Sequence, residues 1–155
     1  MVDAGPRVID DGQTGTSFSG QWPKSGAADP YGSQSLCSKT IGATYSYEET
    51  LSGPHDVELW WTQAANRYPA VPIKIYDGAT LLETVTVNQQ RDGGQWNFLG
   101  TYNFTGRARV VFVSKDNVRS TSDDAVAFST ADNVVNVVNN GVANGGPKVI
   151  DDGQT

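Results

Sequence analysis

The 155-residue chain is the size of one ordinary domain and long enough to bury a core without disulfide or metal staples. Its net charge of −6 and pI near 4.5 set it against phosphate backbones, which excludes nucleic acid and anionic lipid as expected partners. No apolar run approaches the roughly 18 residues of a membrane helix; MVDAGPRV lacks the basic start and apolar stretch of a secretory leader, and Cys37 alone makes neither an intrachain disulfide nor a zinc site.

Seventeen glycines and seven prolines, with only 18% charged residues, leave little material for amphipathic helices. Strand candidates instead recur between turn signals. VIDDG, from Val8, opens the series. In TIGATYSYE, Ile41, Ala43, Tyr45 and Tyr47 alternate with polar neighbours and should share one face. GPHDVELWWT places Val57, Leu59 and Trp61 on one face and Glu58, Trp60 and Thr62 on the other. His55, the only histidine, reads as a turn residue with no catalytic partner. VPIKIYDGATLLETVTVNQ is a hairpin: Ile73 and Ile75 face in, Lys74 and Tyr76 face out, Asp77-Gly78 turns the chain, and Val85 and Val87 return it. QWNFLGTYNF, GRARVVFVS and AVAFST complete about eight strands with no convincing helix. The expected fold is all-β, an antiparallel β-sandwich or jelly roll, over residues 1–130.

Beyond Thr130 the texture changes to ADNVVNVVNNGVANGGPK, read as a connector over residues 131–148 in which VVNVV could add a short edge strand. The chain then repeats itself. Residues 146–155, GPKVIDDGQT, differ from residues 5–14, GPRVIDDGQT, only at Lys148 against Arg7. Val149, Ile150, Asp151, Asp152, Gly153, Gln154 and Thr155 are therefore read as the first strand of a following tandem unit, 141 residues after Val8. An alternative use is assembly, the strand being added to a neighbouring copy.

From residue 8 to residue 130 the chain also carries phrases that resemble the golvesin C-terminal-like domain, found beside xanthan lyases and other secreted bacterial hydrolases. The phrases are VIDDG with Phe18, Gly20 and Trp22; Tyr31-Gly32; GPHDVELWWT with Asn66-Arg67; VNQQRDGGQWNFLGTYNF; and DDAVAF. The closing strand departs from that pattern, with Asp123-Asp124-Ala125 in place of Ala-Asp-Ala. The resemblance implies a non-catalytic, carbohydrate-binding-like accessory β-sandwich that is secreted or held at the cell surface.

Three groups of residues invite function. Trp60, Tyr76 and Tyr68 are the candidate platforms for sugar rings, whose apolar faces stack on exposed aromatics, whereas Trp61 and Trp96 are expected in the core. Asp10, Asp11, Asp123 and Asp124 flank the first and last strands, which commonly lie side by side in a jelly roll, and their hard oxygens suit Ca²⁺. Asp-Asp-Gly also makes a plain turn, and that reading is favoured over the metal; an aspartate paired with Arg119 is a third. The amides of residues 88–95 could read hydroxyls or satisfy buried backbone, and the second is favoured. No GxSxG, HExxH or phosphate loop is present, so an enzyme is not expected. The leading expectation is a repeat unit of a surface or matrix protein, with copies of itself as partners. The alternative is a module that binds polysaccharide and targets an attached hydrolase.

Overall fold

A computed structural model of the chain describes residues 6–131; the connector from residue 132 onward and the second VIDDGQT lie outside the described residues. Twelve strands and no helix make up the described part: β1 (Arg7–Asp10), β2 (Thr16–Ser19), β3 (Lys24–Ser25), β4 (Ser35–Ser38), β5 (Thr44–Glu49), β6 (Ser52–Trp60), β7 (Val71–Asp77), β8 (Thr80–Val87), β9 (Asn97–Thr105), β10 (Ala108–Val113), β11 (Thr121–Asp123) and β12 (Ala125–Thr130). They form a four-stranded sheet in the order β1-β12-β6-β9, a five-stranded sheet β2-β5-β10-β7-β8, and a small sheet β11-β4-β3, with every ladder antiparallel. The all-β expectation holds. The four strands missing from the expected eight are β2, β3, β4 and β11, each of two to four residues.

Alternation explains the core. The four-stranded sheet turns Ile9, Val57, Leu59, Tyr102, Phe104, Val126 and Phe128 inward. The five-stranded sheet answers with Tyr45, Tyr47, Val71, Ile73, Ile75, Val110 and Phe112, and Trp61 joins from just beyond β6. Full burial of each such side chain contributes about 1.5–3 kcal/mol. Ile41 does not share the face of Ala43, Tyr45 and Tyr47: β5 starts only at Thr44, and Ile41 lies in the preceding turn, 64% exposed. His55 sits inside β6 rather than in a turn, paired with Tyr102, and its Nδ1 meets the Gly53 carbonyl at 3.1 Å.

The loop of residues 88–95 is bolted to the end of the sandwich. Gln89 is fully buried; its Nε2 donates to the Ser122 carbonyl at 2.9 Å, and its Oε1 accepts the Ser122 N–H at 2.7 Å. Gln90 Nε2 donates to the Arg67 carbonyl at 2.9 Å, and the Gly94 N–H to the Trp61 carbonyl at 2.8 Å. Gly93 is obligatory for this approach, because a Cβ there would stand 2.5 Å from the Gln63 backbone nitrogen. These amides satisfy buried backbone, as favoured above.

Candidate functional site

Two constellations meet on the outer side of the four-stranded sheet, joined by the loop between β3 and β4. The first is aromatic. Trp60 ends β6 opposite in sense to the buried Leu59, and its cross-strand partner is the small Ala125. Its Nε1 donates to the Asp29 carbonyl at 3.0 Å. Tyr31, from the same loop as Asp29, packs edge-on against Trp60 with ring centres 5.5 Å apart. Trp96 closes the triangle at 5.3 Å from Tyr31 and 5.4 Å from Trp60. All three are half-buried, and Phe98, two residues along from Trp96 and across the ladder from Glu58, is 47% exposed. Asp29 and Asp92, one on each of the flanking loops, adopt left-handed backbone angles of φ 63° and 61°, a conformation that aspartate tolerates better than most residues. The result is a semi-exposed, pre-set aromatic corner.

The other expected platforms do not join it. Tyr76 points outward as its alternation requires, but on the opposite sheet, where the Arg109 guanidinium lies 4.4 Å over its ring. Tyr68 packs against the core cluster. Trp96, expected inside, is instead the third member of the corner, while Trp61 is buried as expected, its Nε1 donating to the Arg91 carbonyl at 3.1 Å.

The second constellation is acidic. β1 and β12 pair antiparallel with Asp10 opposite Ala125, so the acids at their ends converge. One carboxylate oxygen from each of Asp10, Asp11 and Asp124 lies within 4.8 Å of the others. The Tyr31 N–H donates to Asp124 Oδ2 at 2.8 Å, and Gln34 Nε2 donates to Asp11 Oδ1 at 2.9 Å. Asp124 Oδ1 and Asp11 Oδ2 are buried without a hydrogen-bond partner. Gly32, at φ 65°, lets the loop close over the acids, since a Cβ there would stand 2.7 Å from Asp10 Oδ2. Asp123 is fully buried but is not one of the three: successive residues of extended chain face opposite ways, and its carboxyl lies beside the Tyr47 hydroxyl. Arg119 pairs with none of them; it is exposed, and its N–H bonds Asp116.

Burial dominates the electrostatics. Desolvation pushes Asp11 up to about 6 despite the Gln34 hydrogen bond, and Asp10 adds repulsion. Desolvation pushes Asp124 up to about 8 against the Tyr31 N–H, with Asp11 and Asp10 adding repulsion. Asp123 is driven well above the carboxylate range by burial, a shift its Tyr47 neighbour only moderates. Asp124 is fully buried. The donor set fits a hard cation. Oxygens at 2.3–2.6 Å from one Ca²⁺ stand at most about 5 Å apart, and an ion would satisfy the orphaned oxygens of Asp11 and Asp124 together.

Sequence reasoning missed one buried network. Arg67, 3% exposed, donates to the Thr62 carbonyl at 2.9 Å, Thr62 Oγ1 at 2.7 Å, Ser120 Oγ at 2.8 Å and Ser25 Oγ at 2.8 Å. Burial holds its pKa below the ordinary value, opposed by the neighbouring Cys37 sulfur. The network ties β3, β11 and the loop after Trp61 together behind the aromatic corner. Its one signal in the sequence was Asn66-Arg67.

Residues 7–130 match the golvesin C-terminal domain family. The chain belongs to that family. It is 28% identical over 131 residues to a xanthan lyase of Bacillus sp. (strain GL1), covering 79% of this chain and 14% of that protein. Among solved structures it superposes on a Paenibacillus xanthan lyase with TM-score 0.74 at 24% identity, over 82% of this chain and 13% of that one. The CBM36-1 domain of a multidomain xylanase from the hindgut metagenome of Trinervitermes trinervoides gives TM-score 0.57 at 18% identity, over 81% of this chain and 98% of the domain. A family 35 carbohydrate-binding module from an environmental isolate gives 0.55 at 11%, over 81% and 93%. This golvesin-family domain thus has the fold of carbohydrate-binding modules. The chain spans about one-seventh of the lyase it matches.

Proposed function

We propose that this golvesin-family domain is a non-catalytic carbohydrate-binding module of a longer extracellular protein. In this reading it docks polysaccharide on the corner built by Tyr31, Trp60 and Trp96. The observation that carries the reading is that corner: three aromatic rings, half exposed and held in place, on a β-sandwich shaped like whole carbohydrate-binding modules. Sugar rings present apolar C–H faces, and a pre-set aromatic surface meets them at little entropic cost. Glu58 and Gln95, beside the corner in sequence and ladder, supply polar groups for hydroxyls.

In the same reading Asp10, Asp11 and Asp124 hold Ca²⁺. The ion would neutralise buried charge and fix the Tyr31–Gln34 loop through the acids that bond it. It takes no part in a reaction. Affinity electrophoresis in gels containing xanthan, xylan, β-mannan or mixed-linkage glucan tests the function. Retardation in at least one supports it, and free migration in all removes it.

A second reading, a repeat unit of a surface or matrix protein in contact with copies of itself, is supported by the repeated GPxVIDDGQT phrase. The two readings are compatible, since a glycan-binding unit can stand in an array.

A further inference from the structure

The outer face of the four-stranded sheet continues past the aromatic corner. Along β6, Trp60, Glu58 and Asp56 point outward, alternating with the buried Leu59 and Val57. Their partners on β12 are Ala125, Ala127 and Ser129, too small to overhang them. On β9 a bulge skips Leu99, so that Gly100 pairs with Val57 and Phe98 with Glu58. The extra residue re-aims the strand. Leu99 packs against the core, and Phe98 comes to lie across from Glu58, 47% exposed. One step further, Thr101 Oγ1 donates to Asp56 Oδ1 at 2.6 Å. Same-face residues of a strand stand about 7 Å apart, so the lane from Trp60 to Asp56 runs about 14 Å, more than one sugar ring spans.

The charged side chains along this lane are acids. Glu58 and Asp56 lie in its floor, and the exposed Asp29 and Asp92 stand on the two loops that frame the corner. Arg91, the cation next to them in sequence, has its Nε 3.7 Å from Asp92 Oδ2. Burial pushes Glu58 above its ordinary value and repulsion from Asp56 adds to the shift, so negative charge is already crowded there. A carboxylate is a strong acceptor for a sugar hydroxyl. A carboxylate on the ligand would instead face like charges on a half-desolvated surface. The net charge of −6 sets the same preference at longer range.

We propose that the corner and the lane together take a run of linked neutral sugars and reject a polysaccharide that carries carboxylates, such as a uronate-rich polymer. The inference rests on the carbohydrate-binding reading above and narrows its ligand. One sugar ring stacks on the corner of Tyr31, Trp60 and Trp96, and another on Phe98. Glu58 lies between the two platforms and accepts hydroxyls from the rings on either side. Asp56, held by Thr101, accepts at the far end.

The test is isothermal titration calorimetry of the full chain with matched pairs of soluble polymers, at low and at physiological salt. The pairs are mixed-linkage glucan and galactomannan, each before and after oxidation of its primary alcohols to carboxylates, and arabinoxylan against glucuronoxylan. The neutral member of at least one pair should bind about tenfold or more tighter than its acidic partner. The gap should narrow as salt rises. Glu58→Lys, checked for an unchanged melting curve, should weaken the neutral polymer and strengthen the acidic one. Phe98→Ala should weaken a hexasaccharide cut from the bound polymer by about tenfold and leave a disaccharide, which reaches only the corner, unchanged. Acidic members that bind as tightly as neutral ones would overturn the inference; if Trp60→Ala still abolishes that binding, the carbohydrate-binding reading stands without it. Hexasaccharide affinity unmoved by Phe98→Ala would remove the second platform. No binding to any of the polymers would remove both readings together.

Discussion

Asp124→Asn separates the two roles that burial gives the acidic cluster. The amide keeps the shape and can still accept the Tyr31 N–H that now bonds Oδ2 at 2.8 Å. It removes one of three charges whose oxygens lie within 4.8 Å. In chelator at pH 8, wild-type Asp124, pushed up to about 8, is half ionised in a site that desolvates it, and Asp11, at about 6, is fully ionised beside it. At about 1.4 kcal/mol for each unit by which a pKa is raised, this repulsion and desolvation cost a few kcal/mol. The variant should therefore be more stable than wild type in chelator, by about 1–3 kcal/mol. With Ca²⁺ the order should reverse. An ion at a hundred times its Kd adds about 2.7 kcal/mol to wild type. The variant, one carboxylate short, should gain little. Urea unfolding at pH 8 with EDTA and with millimolar CaCl₂ gives both numbers. A variant that is less stable than wild type by the same amount in both conditions would refute the reasoning, because the carboxylate would then act through packing alone.

The raised acids also set a pH profile. Their folded pKa values lie above the unfolded ones, so the folded state binds more protons between about 4 and 8. Without Ca²⁺, urea midpoints should fall as pH rises across that window, and saturating Ca²⁺ should flatten the fall. Arg67→Ala strips four hydrogen bonds from buried partners and should cost more than about 3 kcal/mol in chemical denaturation, whereas exposed Arg119→Ala should cost under about 0.5. Gly93→Ala forces a Cβ to 2.5 Å from the Gln63 nitrogen and should lose about 1–3 kcal/mol, with a change in Trp61 fluorescence because Gly94 is bonded to the Trp61 carbonyl.

Part of this architecture was legible in the sequence. Leu59 in and Trp60 out follow from strict alternation in β6, and the β7–β8 hairpin follows from Asp77-Gly78 between alternating runs. The meeting of Asp10, Asp11 and Asp124 follows from the side-by-side first and last strands. The short strands TSFS, KS, SLCS and TSD carry no period long enough to detect, and their pairing is set by the sheets they join. Tyr31 and Trp96 come from loops, where periodicity says nothing about direction. Tyr76 shows the limit of reading one strand at a time: its outward sense was right, but Arg109, which covers it, comes from the neighbouring β10.

The measurement closest to the central claim is retention on polysaccharide by Trp60→Ala and Tyr76→Ala proteins with matched melting curves, in the affinity gel that retards wild type most. Loss of one large aromatic contact is worth about 1–3 kcal/mol, or roughly ten- to hundredfold in affinity. Trp60→Ala should therefore migrate nearly freely, while Tyr76→Ala, on the opposite sheet, should be retarded like wild type. Retardation unchanged by Trp60→Ala and lost in Tyr76→Ala would contradict the account and move the glycan to the other face.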